Sequence, residues 1–457
     1  MSVQIPVSSF NNNHIIRINK DLLVKPIQKD KKSFFGNITT SSKPIECFDI
    51  FSQSGKDFAS IPLSYYFHHL SNINSISFDY SSCENLNFEG SLLDRQKKVR
   101  EEILEILNRT KSVVLSLHTG FGKTVMALYL TCKIKLKTII LCHRKIIIDQ
   151  WVSSIKKYIP DANFAILGEP PKKKDKKDSP NFVSQNENWD ILIANVINVP
   201  KQDKSFYSDV GLVIVDEIHT ICTNSFSKSL LHLFPRYLIG LSATPFRTDG
   251  MDKILELFCG PEVVYRKLYK PFNVYKLQTN FKPESRLNIS GGLDWNSILE
   301  GQASDDDRNN LIIDLCRYFV KRNILVLVKR KEHALLLQEK LNKFGEIVDI
   351  FMDTKRTFNY DCRILIATYS KGGVGFDHPK LDMLIGGADV EEGFMQYIGR
   401  IFRRDDVCPM YIDLVDNMST IKKHATTRLK ICKEIGAEVK DFHKCFKDFG
   451  KLINLLN

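Results

Sequence analysis

The chain has 457 residues, 43% of them hydrophobic and 26% charged, which is too long for one small core and too apolar for a disordered polymer. A formal net charge of +12 favours a polyanionic partner, although many basic proteins bind no nucleic acid. The 11 cysteines contain no CxxC pair and no zinc spacing, and no apolar run is long enough to span a bilayer, so zinc-finger and membrane-spanning classes are excluded.

Residues 1–91 alternate short apolar runs, such as Ile15–Ile18 and Glu46–Phe51, with Ser, Asn and Gly, which predicts a small β-rich N-terminal domain. Its cluster Tyr65, Tyr66, Phe67, His68 and His69 offers rings for base stacking, but the edge of a core accounts for it more simply.

From Leu92 the texture changes. Leu93–Leu107 has helical spacing with Asp94 as N-cap, and then strand-like runs alternate with helical segments: Ser112–Leu117, Thr138–Cys142, Asp190–Ala194, Leu212–Val215 and Tyr237–Leu241. Near-continuous apolar strands separated by helices predict a parallel α/β sheet covered on both faces. The texture restarts near Val274 and runs through Ile324–Val328, Ile347–Phe351, Arg363–Ala367, Met383–Ile385 and Pro409–Leu414. Two α/β domains, 92–268 and 269–418, are therefore expected, with Glu169–Asn188 (containing PPKKKDKKD) and Gly291–Asp307 as surface loops. Residues 419–457 read as a basic helical tail whose apolar stripe, including Ile421, Leu429, Phe442 and Phe446, packs on the second domain.

Two segments carry chemistry. Leu117-His118-Thr119-Gly120-Phe121-Gly122-Lys123-Thr124 follows a strand and precedes a helix, the context of a phosphate-binding loop. Glycines let successive N–H groups turn toward phosphate oxygens, Lys123 supplies a point charge to the β- and γ-phosphates of ATP, and the Thr124 hydroxyl can ligate Mg²⁺. Leu117 stands where the usual pattern begins with glycine. The second segment, Val213–His219, is an apolar strand ending in two carboxylates. Asp216 is expected to hold Mg²⁺, largely through water, Glu217 to act as general base on the attacking water, and His219 to sense the γ-phosphate side. Alone, such a strand end is more often a cap; on a separate strand downstream of the loop it becomes the loop's partner.

Asp216-Glu217-Ile218-His219, with Ser242-Ala243-Thr244 on the next strand, resembles the DExH-type superfamily 2 helicases. Thr138–Trp151 resembles their motif Ia, Asp190–Asn195 motif Ib, Ile324–Val328 with Lys329 and Arg330 motif IV, Ile364–Asp377 motif V, and Gln396–Arg403 the QxxGRxxR motif VI. The resemblance implies two tandem RecA-like domains of parallel sheets with helices on both faces, and an ATP site in the cleft between them. It assigns Gln96 to adenine, and His118, Thr119, Gly120, Phe121, Gly122, Lys123, Thr124, Gly375 and Asp377 to the nucleotide. It assigns Arg144, Asn195, Thr368, Lys371 and Gly373 to the nucleic-acid backbone, and Ser242, Ala243 and Thr244 to coupling. Gln396, Arg400 and Arg403 join the catalytic set; two arginines three residues apart on a helix share one face and can both point across the cleft at the γ-phosphate.

Gly240–Asp249, Gly291–Gln302, Asp307-Arg308-Asn309 and Ile385–Arg404 are most similar to the branch containing the transcription/repair-factor helicase and the poxvirus-type transcript-release helicases of large DNA viruses. That branch implies a monomeric motor, with Mg²⁺ and ATP, on DNA or RNA gripped without sequence preference, in viral-type transcription or genome handling, with transcription machinery as a partner. The start MSVQIPVSSFNNNH has no secretory pattern, so the expected place is the host cytoplasm or the virion. Between Asp377 and Gln396 there is no room for a long strand-separating hairpin, which favours translocation over unwinding. The alternative is a nucleic-acid-stimulated ATPase that remodels or releases protein–nucleic-acid complexes without unwinding.

Overall fold

The computed structural model describes residues 2–451 except 26–30, 34–35, 39–43, 119, 169–187, 222, 243–250, 289–290, 353–354, 356, 373–377, 392 and 405. Thr119, Ala243, Thr244, Gly373, Gly375, Asp377 and the PPKKKDKKD run lie outside the described residues. The chain divides into two units, Met1–Lys31 with Asn37–Arg266, and Lys32–Gly36 with Lys267–Asn457.

In the first unit, β1 (Ser2–Pro6), β2 (Asp49–Gln53) and β3 (Lys56–Pro62) form an antiparallel sheet in the order β1-β3-β2. Ile5, Ala59, Ile61 and Leu63 belong to the same hydrophobic cluster as Val114, Ile139 and Leu141 of the large sheet that follows. The N-terminal residues thus share a core with that sheet. Ser2 N also donates to Leu233 O at 2.8 Å, and Lys204 pairs with Asp49 at 2.7 Å.

The run Ile15–Ile18, expected as extended chain, lies in a helix, Asn12–Asp21. Asn11 caps it by accepting from His14 N at 2.9 Å, and Ile18 is its buried residue while Ile15 and Ile16 face solvent. The cap, not the isoleucines, decides the local structure. The aromatic cluster sits on a helix, Leu63–His69, with Tyr65 and Tyr66 buried and Phe67 exposed.

The large sheet of the first unit contains β4 (Ser112–Leu117), β5 (Thr138–Cys142), β6 (Phe164–Leu167), β7 (Ile191–Asn195), β8 (Leu212–Val215), β9 (Tyr237–Ser242) and β10 (Val263–Arg266). All pair in parallel, in the order β6-β7-β5-β8-β9-β4-β10. The second unit contains β11 (Phe272–Gln278), β12 (Ile324–Val328), β13 (Val348–Phe351), β14 (Ile364–Thr368), β15 (Met383–Gly386), β16 (Met410–Val415) and β17 (Ala437–Asp441). These also pair in parallel, in the order β13-β14-β12-β15-β16-β11-β17. Numbered within each unit, both sheets read 3-4-2-5-6-1-7. The architecture is a structural repeat.

Two expectations are corrected in the second unit. Gly291–Asp307 is not simply a surface loop, because Trp295–Ser304 is a helix that buries Ile298, Leu299 and Gln302. Its acidic flanks are caps: Asp294 accepts from Asn296 N, and Asp305 accepts from Arg308 N to start the next helix, Asp306–Tyr318. The Arg308 guanidinium, 2% exposed, binds Asp416 at 3.0 Å and Gly387 O at 2.6 Å, while Gln302 and Thr279 complete the shell of Asp416. The residues 307–309 singled out by the resemblance therefore tie helices to strand ends.

The tail is not wholly helical. Helix Ser419–Glu434 stops at Gly436, where φ is +101° and a Cβ would lie 3.0 Å from Lys270 O. The alternating Ala437–Asp441 then pairs with β11 as the seventh strand. Phe446 packs against Phe442 and meets the rings of Tyr275 and Tyr318 edge-on.

Candidate functional site

In a parallel sheet every strand ends on the same edge, and the helices that follow start there with unsatisfied N–H groups. β4 ends at Leu117, and the helix Lys123–Ile134 begins after a loop in which Gly120 and Gly122 adopt φ of 85° and 97°. Gly122 is doubly constrained, since a Cβ there would fall 2.5 Å from Gln96 Nε2. Gln96 is 4% exposed: its Nε2 donates to Phe121 O at 2.8 Å and its Oε1 accepts from Leu93 N at 2.9 Å. It clamps the loop to the first turn of helix Asp94–Thr110. Lys123 Nζ donates to Leu117 O at 2.8 Å, spanning the loop from end to start. His118 stands edge-on to Phe121 at 5.5 Å, and the Arg95 guanidinium, which the sequence did not single out, lies over the Phe121 ring at 5.7 Å.

β8 delivers the two carboxylates to the same edge. Asp216 N donates to Leu141 O of β5 at 2.9 Å; Asp216 Oδ1 accepts from Glu217 N and Oδ2 from Trp151 Nε1, each at 2.9 Å. Burial and the adjacent Glu217 carboxylate push Asp216 up to about 6, against the pull of the Trp151 N–H and the Lys123 charge. Glu217 has φ of 50°, a left-handed backbone that a side-chain-bearing residue adopts at a cost. His219 Nδ1 lies 3.4 Å from Glu217 Oε2 and 2.9 Å from Ser242 Oγ, and Ser242 is fully buried at the end of β9. His143, just past β5, is held down to about 4 by burial and by Arg144 and His219, so it is neutral at pH 7.

These residues suit a nucleotide with its cation. The Glu217 carboxylate raises the proton affinity of Asp216, and a divalent cation relieves that repulsion as a proton does. Thr124, half-buried at the start of its helix, and Asp216 are the residues that would hold it. Mg²⁺ in that position supplies charge neutralisation for phosphate oxygens.

The residues assigned to the nucleic-acid backbone fall on the same edges. Arg144 is exposed and precedes helix Lys145–Tyr158 directly after β5. Asn195 ends the neighbouring β7, in register with Cys142, and its side chain accepts from Ile197 N at 3.2 Å. In the second unit Thr368 ends β14, with Oγ1 3.1 Å from Ser370 Oγ, and Lys371 follows in the turn Tyr369–Gly372 with its ammonium over the Phe351 ring at 5.5 Å. The repeat adds a residue that the assignments passed over. His143-Arg144-Lys145 follows the second strand of the first unit, and Lys329-Arg330-Lys331 follows the second strand of the other. Arg144 and Arg330 are both in extended conformation (ψ of 142° and 143°) before their helices.

Motif VI departs from the expected geometry. The α-helix covers only Phe394–Ile398, which includes Gln396; Arg400 sits in a 3-10 turn, Gly399–Ile401, and Arg403 lies beyond it. The arginines therefore do not share one α-helical face. Arg400 Nε donates to Gly372 O at 3.2 Å, which joins motif VI to the turn carrying Lys371.

Residues 89–247 match the family described as "Type III restriction enzyme, res subunit". A protein of Invertebrate iridescent virus 6 named "Putative helicase 161L" is 39% identical over 375 residues, covering 78% of this chain and 84% of the viral protein. The chain belongs to the superfamily 2 helicases. "Putative helicase 055L" of Frog virus 3 is 30% identical to the helicase over 358 residues, covering 77% of it and 79% of the relative. Among solved structures, S. cerevisiae Dbp5 bound to RNA and ADP BeF3 superposes with a TM-score of 0.54 over 79% of the helicase and 93% of that chain, at 14% identity. The helicase thus has tandem RecA-like domains with a small β-rich N-terminal part. Among its described residues no helix is long and apolar enough to cross a membrane.

Proposed function

We propose that this helicase is of the DExH type and converts ATP hydrolysis into movement along a DNA or RNA strand. The observation that carries the reading is the chain of contacts from Glu217 through His219 to Ser242, beside the left-handed glycine loop closed by Lys123. In this reading Gln96, His118 and Phe121 seat the nucleotide, Lys123 holds its phosphates, Thr124 and Asp216 hold Mg²⁺, and Glu217 takes the proton of the attacking water. Arg400 and Arg403, with Gln396, act on the γ-phosphate, and Arg400 informs the Thr368–Lys371 grip through Gly372. Arg144 and Asn195 grip the strand on the first unit, by phosphate contacts that carry no sequence information.

We also favour a role in releasing protein from nucleic acid, such as a transcript from a polymerase, over duplex unwinding. Among the described residues between β14 and β16 the only strand is β15, which supports that preference. Relatives in iridescent viruses, and a mimivirus relative 25% identical over 444 residues whose name includes "ATP-dependent RNA helicase", support a place in viral transcription or genome handling. The test measures ATPase stimulation by single- and double-stranded DNA and RNA, then runs strand displacement beside streptavidin displacement on the stimulating polymer. Streptavidin displacement with little unwinding is expected. An ATPase indifferent to all four polymers would remove the motor reading.

A further inference from the structure

Trp151 closes the segment that resembles motif Ia, yet it faces inward. It is 1% exposed, and its indole N–H donates to Asp216 Oδ2 at 2.9 Å. A buried donor left without an acceptor is costly, so this bond constrains both partners.

The helix Lys145–Tyr158 that carries Trp151 starts at the exposed Arg144 and is pinned by buried Ile147, Ile148 and Ile155. Asp216 is consequently attached to one strand–helix unit twice. Its backbone N–H bonds Leu141 in β5, and its carboxylate bonds Trp151 in the helix that leaves β5. From Arg144 to Trp151 is two helical turns, about 10 Å along one rigid element at 1.5 Å per residue. A phosphate drawn to the N-terminal end of this helix and to Arg144 acts on the same body that orients the carboxylate.

We infer that Trp151 is a positioning residue for Asp216 and carries occupancy of the nucleic-acid contact at Arg144 to the cation-binding carboxylate. The inference rests on the reading of Asp216 as a Mg²⁺ ligand. It places the stimulation of ATP hydrolysis by nucleic acid, on the first unit, in one hydrogen bond.

The test uses the full chain saturated with the non-hydrolysable analogue AMP-PNP. Mn²⁺ binding is titrated by electron paramagnetic resonance, with and without a single-stranded oligonucleotide. In the native protein the oligonucleotide is expected to tighten Mn²⁺ binding. In Trp151→Phe, Mn²⁺ binding weakens about 10–100-fold, the usual effect of losing a partner of a metal ligand, and the oligonucleotide no longer changes it. A second protein carries benzothienylalanine at position 151, which keeps the ring shape and lacks the N–H, so a loss there reports the bond and not a packing defect. Native behaviour of that isosteric protein overturns the inference, as does a full oligonucleotide effect in Trp151→Phe. A native protein that binds no Mn²⁺ with the analogue would instead bring down the assignment of Asp216 itself.

Discussion

His219 Nδ1 lies 2.9 Å from Ser242 Oγ and 3.4 Å from Glu217 Oε2, so a single imidazole touches the general-base candidate and the last residue of the neighbouring strand. Replacing it by alanine should separate hydrolysis from work. His219→Ala is expected to lower ATP turnover by less than about threefold and streptavidin displacement by more than about tenfold, a difference of the order of 1 kcal/mol in coupling. Equal losses in both assays would show that His219 serves hydrolysis alone.

Glu217 combines a strained backbone with a chemical role, and two substitutions separate them. Glu217→Gln should retain nucleotide affinity and lose about 10²–10⁴-fold in kcat. Glu217→Gly should be equally inactive but more stable, because glycine adopts φ of 50° without penalty. A rise of a few degrees in Tm by calorimetry is the check.

Lys123→Ala is expected to abolish hydrolysis, and retained turnover would undo the phosphate-loop assignment. Gly122→Ala should damage the same loop for a different reason, since the added carbon meets Gln96 Nε2 in a left-handed conformation. Truncating Gln96 in the G122A protein should then recover part of the Tm without recovering selectivity for ATP over GTP.

The two motif VI arginines should behave differently. Arg403→Ala is expected to leave nucleotide affinity within about threefold while kcat falls by about 10³ or more. Arg400→Ala should in addition weaken nucleic-acid binding, because it releases Gly372 beside Lys371. Nucleotide and oligonucleotide titrations of both variants decide the matter.

His333 gives the second unit an acid-sensitive point. It is 1% exposed, bonded to Asn309 Oδ1 at 2.8 Å, and burial with the nearby Arg308 lowers it to about 3. The unfolded chain takes up this proton near pH 6.5 and the folded chain does not, so the stability it contributes is intact above pH 6.5 and is lost as the pH falls toward 3. His333→Gln should flatten the dependence of Tm on pH between 6.5 and 5, and an unchanged slope would assign the acid sensitivity elsewhere.

The strand end and the loop that carry the candidate site were legible because they sit where local pattern is strongest. An apolar run ending in Asp216-Glu217, or a glycine pair before Lys123-Thr124, announces both a strand end and a charge. Both parallel sheets could be read from their buried strands, which have no polar face to confuse the period. What escaped was set by contacts distant in sequence. The bond from Trp151 to Asp216 spans 65 residues and the clamp from Gln96 to Phe121 spans 25, and neither leaves a periodic trace. The helix at Asn12–Asp21 was hidden by three isoleucines whose fate depended on Asn11. The short α-helix around Gln396, giving way to a tighter turn before Arg403, was invisible because the QxxGRxxR spacing suits either geometry.

The placement of β17 has a consequence for how the chain is made. The first large sheet gains its last strand at Val263–Arg266, whereas the second waits for Ala437–Asp441 to pair beside β11. On the ribosome the first lobe can therefore mature while its sister is still an open half-sheet. A message truncated ahead of residue 437 would leave β11 with an unfilled hydrogen-bonding flank, a template for aggregation in a crowded cell.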